Sequence, residues 1–464
     1  MGETLILGGG LTGLTAAYVL QQRSHPVRVL EATPWLGGAS RTVRWGEFRF
    51  DLGGHRLYTR DRRVVEMVER LVGTDLLQVP RISRIYLHGH FVNYPLSFFN
   101  ALKALGPATS AAVTASYVKQ KLRKVVRRPP DVTFEDWVVN RFGRKLYEIY
   151  FKTYSEKVWG VPCERLGSDF AAQRIRGLSF REAVKNMLFR GGKTPDSLVS
   201  EFTYPRLGFG QITEKMAECM AADRIHLCSP VVRVRHDGRR VRAVVARQNG
   251  VERSWEPDQA ITTIPVTNLV SMMDPPPAAD VVEAARGLSF RDIIIVFLAL
   301  DRPKVTDDHW IYFPDPDIFL GRIHEPKNWS AAMAPAGQTG IVAEIFCFAR
   351  EPVWDEPDRS LIRRCTEQLE TVGLIRASQL IGGHVVQCPK AYPLYERGYR
   401  ERIAAVLGYL KGLSNLQSAG RNALFRYTSS DRYMEMAIKA AENVLGIADH
   451  DVDAVATDKE YAEE

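Results

Sequence analysis

A glycine-rich turn near the amino terminus has the spacing of a phosphate-binding site. Gly8, Gly10 and Gly13 form the pattern G-x-G-x-x-G. In such a turn the first glycine allows a tight bend, the second lets a pyrophosphate approach the backbone, and the third lets helix and strand pack closely. Leu11 and Thr12 complete the predicted contact, because a helix N-terminus presents free N–H groups and a positive dipole end to phosphates. The turn predicts dinucleotide binding.

The elements around this turn must be a strand, a helix and a second strand. Residues 4–7 are an apolar run typical of a buried strand, and residues 14–22 have helical spacing. Residues 27–30 form a second apolar run that ends in Glu31, an acid that can accept hydrogen bonds from ribose hydroxyls. The neighbouring Ala32 belongs to the same predicted contact. Since every part occurs in order, an ordinary strand-to-helix turn is the weaker interpretation.

A second glycine-rich region indicates that the dinucleotide is FAD. Residues 36–42 read LGGASRT, and residues 48–55 read FRFDLGGH. FAD lies extended, so the backbone must approach it again far from the adenine, whereas a nicotinamide cofactor needs no such second turn. Arg41 could reach the pyrophosphate, and no cysteine is a convincing flavin-linking residue, so we expect non-covalent FAD. The predicted contacts are Gly38, Ala39, Ser40, Arg41, Gly53, Gly54 and His55.

These motifs resemble the FAD-dependent superfamily that contains amine oxidases, protoporphyrinogen oxidases and UDP-galactopyranose mutases. The resemblance implies an α/β fold: a Rossmann-type (glutathione-reductase-like) FAD-binding domain with an inserted mixed α+β substrate domain. Residues 1–80, 201–275 and 401–464 are predicted to form the discontinuous FAD-binding domain. Residues 81–200 and 276–400 are predicted to form the substrate domain, mainly helical in its first part and a mixed sheet in its second.

The composition is that of an ordinary globular enzyme. The 464 residues are 45% hydrophobic and 25% charged, and no run of about 18 apolar residues predicts a transmembrane helix. The six cysteines are scattered without a C-x-x-C pair, and no histidine or cysteine cluster has metal-ligand spacing. With no room for a signal peptide before the first strand, these features favour a cytoplasmic location and reduced thiols.

Part of the net charge of +8 is concentrated between residues 119 and 128. The cations there are Lys119, Lys121, Arg123, Lys124, Arg127 and Arg128, and no acid lies among them. The favoured interpretation is the solvated basic end of a surface helix. The alternative is contact with acidic lipid headgroups or a lipid-linked phosphate. Nucleic acid is disfavoured because no recognition motif accompanies the charge.

The resemblance also implies further cofactor contacts. Residues 231–265 resemble the strands that return to the adenosine, which implies an adenine contact for Val232 and its neighbour Val231. Residues 420–434 resemble the carboxy-terminal flavin-binding stretch. The contacts implied there are Gly420, Arg421, Ser430, Asp431 and Met434. Asp431 has the alternative role of a helix cap.

The substrate residues implied by the resemblance form a diphosphate clamp. Arg322, Tyr392 and Tyr427 fall where the mutases place an arginine and two tyrosines, and Trp159 lies in the similar motif EKVWGVP. A guanidinium with two phenols suits a diphosphate. The alternatives are a solvated Arg322, an amine-binding aromatic cage of Tyr392 and Tyr427, and a core position for Trp159. His55 beside the flavin has equal claims to a structural and a catalytic role.

The chain departs from the mutase pattern at two places. Ser429 and Ser430 replace an Asn-Gln pair, and Val199 falls where eukaryotic-type mutases have a uridine-contacting asparagine. Base and sugar recognition are therefore predicted to differ from those of the mutases.

Three functions remain in view from the sequence. The first is an FAD-dependent oxidoreductase acting on a small molecule, with a sugar or sugar nucleotide as the leading substrate class. The alternative is a mutase-like flavoenzyme that uses reduced FAD for a non-redox rearrangement of a sugar ring. A flavoprotein scaffold with idle FAD is the weakest, because the glycine turns and the cleft residues are all present.

Overall fold

The computed structural model describes residues 2–87, 89–94, 98–126, 129–169 and 201–455. Arg127, Arg128 and Val199, named above, lie outside these ranges. In chain order the described strands are β1 (Thr4–Leu7), β2 (Val27–Leu30), β3 (Thr42–Trp45), β4 (Phe48–Asp51), β5 (Leu76–Pro80), β6 (Ser83–Leu87), β7 (His90–Tyr94), β8 (Glu201–Pro205), β9 (Ile225–His226), β10 (Val231–His236), β11 (Val241–Gln248), β12 (Val251–Trp255), β13 (Gln259–Thr262), β14 (Met273–Asp274), β15 (Ser289–Leu300), β16 (Trp310–Tyr312), β17 (Arg322–His324), β18 (Thr339–Cys347), β19 (Leu380–Leu394) and β20 (Leu416–Ser418). The described α-helices are α1 (Leu11–Gln22), α2 (Arg62–Val72), α3 (Phe98–Val126), α4 (Phe134–Phe142), α5 (Arg144–Leu146), α6 (Thr153–Trp159), α7 (Gln211–Glu218), α8 (Val266–Met272), α9 (Ala279–Arg286), α10 (Asp358–Thr371), α11 (Tyr399–Lys411) and α12 (Ser430–Val444).

A parallel sheet of five strands, in the order β20-β13-β1-β2-β9, carries the amino-terminal glycine turn. The central strand β1 pairs in parallel with β13 and β2 on its two sides and is fully buried. A strand covered on both faces needs an unbroken apolar run, which explains its sequence. The strands come from segments far apart in the chain, all within the ranges predicted for the FAD-binding domain. The Rossmann-type fold class is confirmed, whereas the domain boundaries stay a prediction.

Helix α1 begins three residues earlier than its periodicity predicts. Its first residue is Leu11, and Gly10 is the N-cap, so Thr12 and Gly13 lie in the first turn. Gly13 cannot carry a side chain, because a Cβ there would lie 1.9 Å from the carbonyl oxygen of Gly8. This close packing joins the helix to the end of β1.

A second sheet has seven strands in the order β19-β15-β18-β17-β16-β6-β7. The strand-like runs at residues 292–299 and 340–348 predict two strands, and they lie in β15 and, apart from Phe348, in β18, which pair antiparallel. The prediction of helix is wrong for residues 83–94, which form the hairpin β6-β7 and join this sheet through β16. The alternation around Ile85 and the turn at Gly89 are the strand signals there.

The predicted meander after residue 231 is confirmed. Strands β10, β11 and β12 pair antiparallel around turns at Asp237-Gly238 and Asn249-Gly250. The helical spacing of residues 144–154 predicts one helix, but the structure divides this segment into α5, a π-helical stretch (Tyr147–Lys152) and α6. Within the described residues, no helix combines the length and apolar character needed to span a bilayer.

Candidate active site

The two glycine-rich turns meet backbone to backbone at the start of α1. The N–H of Gly37 donates a hydrogen bond of 2.8 Å to the carbonyl oxygen of Gly9, and Gly10 and Gly37 form a parallel bridge. A Cβ on Gly38 would lie 3.2 Å from the Cα of Gly10. The N-cap of α1 is Gly10, which has no side chain to accept a hydrogen bond from the first-turn N–H groups. The first-turn N–H groups therefore remain for a ligand.

Glu31 fixes the shape of the first turn. Its Oε2 accepts a hydrogen bond of 2.7 Å from the N–H of Gly9, and its Oε1 accepts one of 2.8 Å from the N–H of Thr33. Oε1 also accepts a hydrogen bond of 2.8 Å from Thr33 Oγ1, so Oε2 is the oxygen that keeps a further lone pair for a ribose hydroxyl. The N–H of Ser229 donates to the carbonyl oxygen of Glu31, which brings the half-buried Val232 towards the same region, near the exposed Ala32.

Two observations show that the turns fit the pyrophosphate of a dinucleotide. Gly10 has φ −78°, which any residue adopts, and a Cβ there would meet nothing closer than 3.9 Å. The protein itself therefore does not require glycine at this position, but a ligand lying on the turn would. Beside it, Nε of Arg41 is buried and has no hydrogen-bond partner among the described residues. An unpaired guanidinium N–H suits a phosphate oxygen. Ala39 is exposed at this turn, and Ser40 is buried.

Asp51 holds the second turn in place, a role that the sequence did not reveal. Its buried carboxylate accepts hydrogen bonds of 2.6 Å from Thr42 Oγ1, 2.6 Å from Tyr204 Oη and 3.1 Å from the N–H of Phe209. Thr42 Oγ1 also accepts from the N–H of Gly210 at 2.9 Å. Burial raises the pKa of Asp51 to about 6, although these hydrogen bonds oppose the shift. One carboxylate thus joins β3, β4 and the segment after β8.

His55 lies where the predicted flavin motif ends, but its charge state argues against a proton-accepting role. Burial, with a smaller contribution from the charge of Arg421, lowers the pKa of His55 to about 3. Its Nδ1 has no hydrogen-bond partner within the described part of the chain. A Cβ on the preceding Gly54 would lie 2.2 Å from Trp310 Nε1, so the backbone passes close to that indole. His55 is neutral at physiological pH.

The carboxy-terminal segment packs against the start of α1. Gly420 has φ +93°, and a Cβ there would also lie 2.7 Å from Thr12 Oγ1. Helix α12 begins at Ser430, and its N-cap Ser429 makes no capping hydrogen bond. Burial raises the pKa of Asp431 in the first turn. The side chain of Met434 is fully buried in the apolar cluster that contains Leu11 and Leu14, so it faces inward.

Tyr392, Tyr427 and Trp159 of the predicted clamp lie together, but the arginine against their rings is Arg421, which was predicted as a cofactor contact, rather than Arg322. The rings of Tyr392 and Tyr427 lie 5.1 Å apart at 88°, and the Trp159 ring is 6.1 Å and 6.0 Å from them. The guanidinium carbon of Arg421 lies 5.5 Å and 5.6 Å from the two tyrosine ring centres. Arg421 is fixed by donating to Tyr433 Oη at 3.1 Å and to a backbone carbonyl. Trp159 is buried and belongs to both the core and this cluster.

Arg322 is held by a buried carboxylate, so the interpretation as a solvated arginine is wrong. Its Nε and Nη2 donate to the two oxygens of Glu344 at 2.9 Å and 2.5 Å. Burial alone would raise the pKa of Glu344, but the charge and hydrogen bonds of Arg322, together with the smaller effect of His324, outweigh burial and hold this pKa at about 2. A Cβ on Gly53 would lie 3.8 Å from Glu344 Oε1, so the ion pair adjoins the predicted flavin motif.

A protein family and several known proteins resemble this chain. A sequence model of flavin containing amine oxidoreductases matches residues 11–441. The chain belongs to this family. Its cofactor is FAD, bound without a covalent link, as expected from the sequence.

Two solved structures share the fold of this chain, and a curated oxidase resembles its sequence. A crystal structure of reduced UDP-galactopyranose mutase has a TM-score of 0.85 at 20% identity, covering 98% of each chain. A putative protoporphyrinogen oxidase from Exiguobacterium sp. 255-15 has a TM-score of 0.73 at 17% identity, covering 96% of this chain and 98% of its own. L-amino acid oxidase bordonein-L from Crotalus durissus terrificus is 25% identical over 360 residues, 69% of this chain. That match spans 64% of the oxidase, so the resemblance leaves a third of its length uncovered.

Lys157 is a second positioning residue that sequence reasoning missed in this flavoenzyme. Its Nζ donates to the backbone carbonyls of Phe313, Asp315 and Ile318 at 2.6 Å, 3.0 Å and 2.6 Å. Burial lowers its pKa to about 8. These carbonyls lie in the loop between β16 and β17, so the lysine ties the helix of Trp159 to the loop before Arg322.

The signals for the missed residues are different. Lys157 lies in the motif EKVWGVP and Asp51 in the motif FRFDLGGH. The predictions from these motifs rested on the neighbouring aromatic and glycine residues instead. Glu344 is the one acid in the run GIVAEIFCF, and a lone charge in a buried strand requires a partner. That signal could have paired it with Arg322.

Proposed function

We propose that the protein is an FAD-dependent oxidoreductase whose substrate is a sugar nucleotide. The observation that carries this is the position of Arg421 against the hydroxyl-bearing rings of Tyr392 and Tyr427, with Arg322 near enough for its charge to act on Tyr392. Both arginines are half-buried, and among the described residues Arg322 has a carboxylate partner whereas Arg421 has none. A site with this charge favours an anionic ligand, and a diphosphate offers the acceptors that guanidinium and phenol donors need.

The same geometry disfavours a simple amine. A cation binds best over the face of an aromatic ring. Here Arg421 already lies within 5.6 Å of the ring centres of Tyr392 and Tyr427. An ammonium group placed between them would meet a fixed positive charge.

The donors that remain in the cluster define what the chain can do for a bound diphosphate. Arg322 uses Nε and Nη2 for Glu344, and its Nη1 makes no hydrogen bond within the described residues. The Tyr392 hydroxyl likewise bonds to no described residue, and burial raises its pKa, so it remains a neutral donor. Trp159 forms one wall beside them. We assign these groups to binding and orienting the substrate.

Bound FAD would oxidise the substrate. The chain must orient the substrate against the cofactor and provide a route for the proton that is released. We assign the cofactor to the contacts predicted from the sequence, from Gly8 to His55 and from Gly420 to Met434. A pKa of about 3 makes His55 a poor base near neutral pH. We therefore propose that His55 positions the cofactor or the substrate, and that the proton passes to water.

A mutase-like reaction is the second candidate. It is favoured by the TM-score of 0.85 to reduced UDP-galactopyranose mutase over nearly the whole of both chains. That likeness concerns the fold. The same clamp would serve either reaction, because both need a held diphosphate.

The test is a titration of the FAD-loaded protein with UDP and with UDP-hexoses, in oxidised and in dithionite-reduced form. Flavin absorbance and fluorescence report binding, and product analysis reports turnover. The oxidoreductase predicts loss of the oxidised-flavin absorbance when substrate is added without air. The mutase predicts turnover only after reduction, with no net spectral change. Absence of any response to nucleotides in both states would contradict the sugar-nucleotide assignment.

A matched pair of variants tests the clamp. Tyr392→Phe removes one hydroxyl from the cluster. Tyr409→Phe, on α11, removes a hydroxyl that lies 3.0 Å from His236 Nε2. We expect the first variant to weaken UDP binding by roughly tenfold, the usual effect of losing one hydrogen bond to a charged group, and the second to leave it unchanged. Equal affinities in both variants would remove Tyr392 from the clamp.

A further inference from the structure

Helix α3 presents an exposed apolar stripe along the basic segment. Ala111, Ala115, Val118 and Leu122 recur at intervals of four, three and four residues, so they share one face of the helix. All four are exposed, and the side chains of Val118 and Leu122 are 48% and 64% exposed. A shallow groove of about 710 Å³ follows this stripe and also includes Thr114 and Lys119. A simply solvated face would not place its largest apolar side chains in water.

Cations flank the stripe on both sides. At about 100° per residue, Lys119 and Arg123 fall on one side of the Val118–Leu122 line, and Lys121 falls on the other. These three side chains are exposed and make no ion pair within the described residues. Residues 98–126 contain no acid at all.

The opposite face of the helix is the one that packs on the protein. Val113 is buried in the main apolar cluster, and Gln120 is buried with its Nε2 donating to Asn140 Oδ1 of α4 at 2.8 Å. The stripe therefore faces away from the packed side. An apolar centre between two rows of long cationic side chains is the arrangement of a helix that lies in a membrane interface, where lysines extend their charge to the headgroups.

We propose that this stripe docks the protein on the surface of an anionic phospholipid membrane. Leu122 and Val118 would enter the boundary between headgroups and acyl chains, and Lys119, Lys121 and Arg123 would contact lipid phosphates. A second copy of the chain is disfavoured as the occupant, because its own stripe carries the same charge. Nucleic acid is disfavoured because the centre of the surface is apolar and offers no donors to bases.

The experiment is vesicle co-sedimentation of the FAD-loaded full-length protein. Vesicles of phosphatidylcholine are compared with vesicles in which about one-third is phosphatidylserine. We expect binding only to the second kind, and weaker binding at about 1 M salt, where screening is nearly complete. No binding to either kind of vesicle would overturn the proposal, as would equal binding to both.

Two stripe variants and one control separate this surface from general charge. Lys119→Gln/Lys121→Gln/Arg123→Gln should bind roughly a hundredfold more weakly, since each cation near an anionic surface contributes about fivefold. The variant Val118→Ser/Leu122→Ser should also bind the anionic vesicles at least roughly tenfold more weakly. The control Arg286→Gln/Arg359→Gln/Arg363→Gln removes the same charge from exposed residues of α9 and α10 and should bind like wild type.

Two further results decide against the membrane. Loss of binding in the control equal to that in the lysine variant would show that net charge alone is responsible. Tighter binding to duplex DNA than to the anionic vesicles would assign the surface to nucleic acid. Every variant should keep its FAD content, its circular dichroism and its response to UDP, so a folding defect or a failure of the sugar-nucleotide proposal remains distinguishable from a failure of docking.

Discussion

Arg322 and Glu344 show, at the scale of single residues, how binding and stability share the same side chains. Glu344 is fully buried and ionised, and its only cationic side-chain partner within hydrogen-bonding distance, among the described residues, is Arg322. Removing one member of such a pair leaves an uncompensated buried charge, whereas replacing both is often neutral. A loss of activity in a single variant would therefore not separate binding from folding.

We predict that Arg322→Met lowers the free energy of unfolding by about 3 kcal/mol, because Glu344 is left unpaired. The double variant Arg322→Met/Glu344→Gln should recover to within about 1 kcal/mol of wild type. Both should bind UDP at least roughly tenfold more weakly, since the guanidinium is absent from each. Urea denaturation and flavin-monitored UDP titration measure the two quantities. A double variant that is stable and binds UDP normally would remove Arg322 from the substrate site.

Asp51 gives a prediction about pH. Its pKa is raised in the folded protein to about 6 from 3.8, so the folded state binds more protons than the unfolded state between these values. Its contribution to stability is therefore greatest below pH 3.8, falls as pH rises through about 6, and is constant above. From 1.36 kcal/mol per pKa unit, wild type should gain about 2 kcal/mol relative to Asp51→Asn when pH falls from about 7 to about 4.5. Denaturation of both proteins at the two pH values measures this, and a pH-independent difference would contradict it.

At the scale of elements, Lys157 fixes the position of α6 relative to the loop between β16 and β17. It lies on α6 beside Trp159 and caps three carbonyls of the loop that leads to Arg322. The lysine itself does not belong to the aromatic cluster. Its effect on the substrate should therefore arise through the loop.

We predict that Lys157→Met costs about 3 kcal/mol of stability, because buried carbonyls lose their donor. It should also raise the KM for the substrate more than it lowers kcat, because the displaced loop carries a binding group. Lys157→Arg should keep part of the stability and part of the substrate affinity, since its guanidinium can still donate to the loop carbonyls. The exposed Lys411→Met on α11 serves as a control and should be near wild type. Equal loss of kcat and kcat/KM in Lys157→Met would instead indicate a part in the reaction itself.

The comparison of sequence and structure is also clearest at the scale of elements. Strands β1 and β2 and the meander of β10 to β12 could be predicted, because each has a single hydrophobic pattern bounded by glycine or by an Asp-Gly or Asn-Gly turn. Helix α12 could be predicted from its helical spacing after Ser430. The hairpin β6-β7 was missed although it has an alternation around Ile85 and a turn at Gly89, because the long helical pattern that follows it dominated the segment. The contacts of Lys157, Asp51 and Glu344 depend on loops and strands distant in sequence, which no local pattern contains.

At the scale of the whole molecule, the five-stranded parallel sheet joins three separate parts of the chain. Strand β1 pairs with β13, and β13 pairs with β20, so residues 4–7, 259–262 and 416–418 lie side by side. Gly420 then packs on Thr12 at the start of α1. A ligand across these turns would connect all three parts, and ligands that bind only the folded state stabilise it by mass action.

Substitutions at Gly10 and Gly13 should affect different properties, cofactor binding at Gly10 and folding at Gly13, although the two residues are only three positions apart. A Cβ on Gly10 would meet no protein atom closer than 3.9 Å, whereas one on Gly13 would lie 1.9 Å from a backbone oxygen. We therefore predict that Gly10→Ala folds, purifies with little or no FAD, and melts like the apoprotein of wild type. Gly13→Ala should fail to fold or melt far lower even without cofactor, because the helix must move away from β1.

The measurements are FAD content by absorbance and thermal unfolding with and without added FAD. Gly408→Ala on α11, where a Cβ would meet nothing within 4 Å, is the control and should keep both FAD and its melting temperature. Saturating FAD should raise the melting temperature of wild type and of this control, by an amount that corresponds to about 4 kcal/mol at a thousandfold excess over Kd. It should leave Gly10→Ala unchanged, because the added methyl group occupies the space that the pyrophosphate needs. If Gly10→Ala retained FAD, the cofactor would have to lie away from this turn, and the assignment of the glycine pattern to phosphate binding would be wrong.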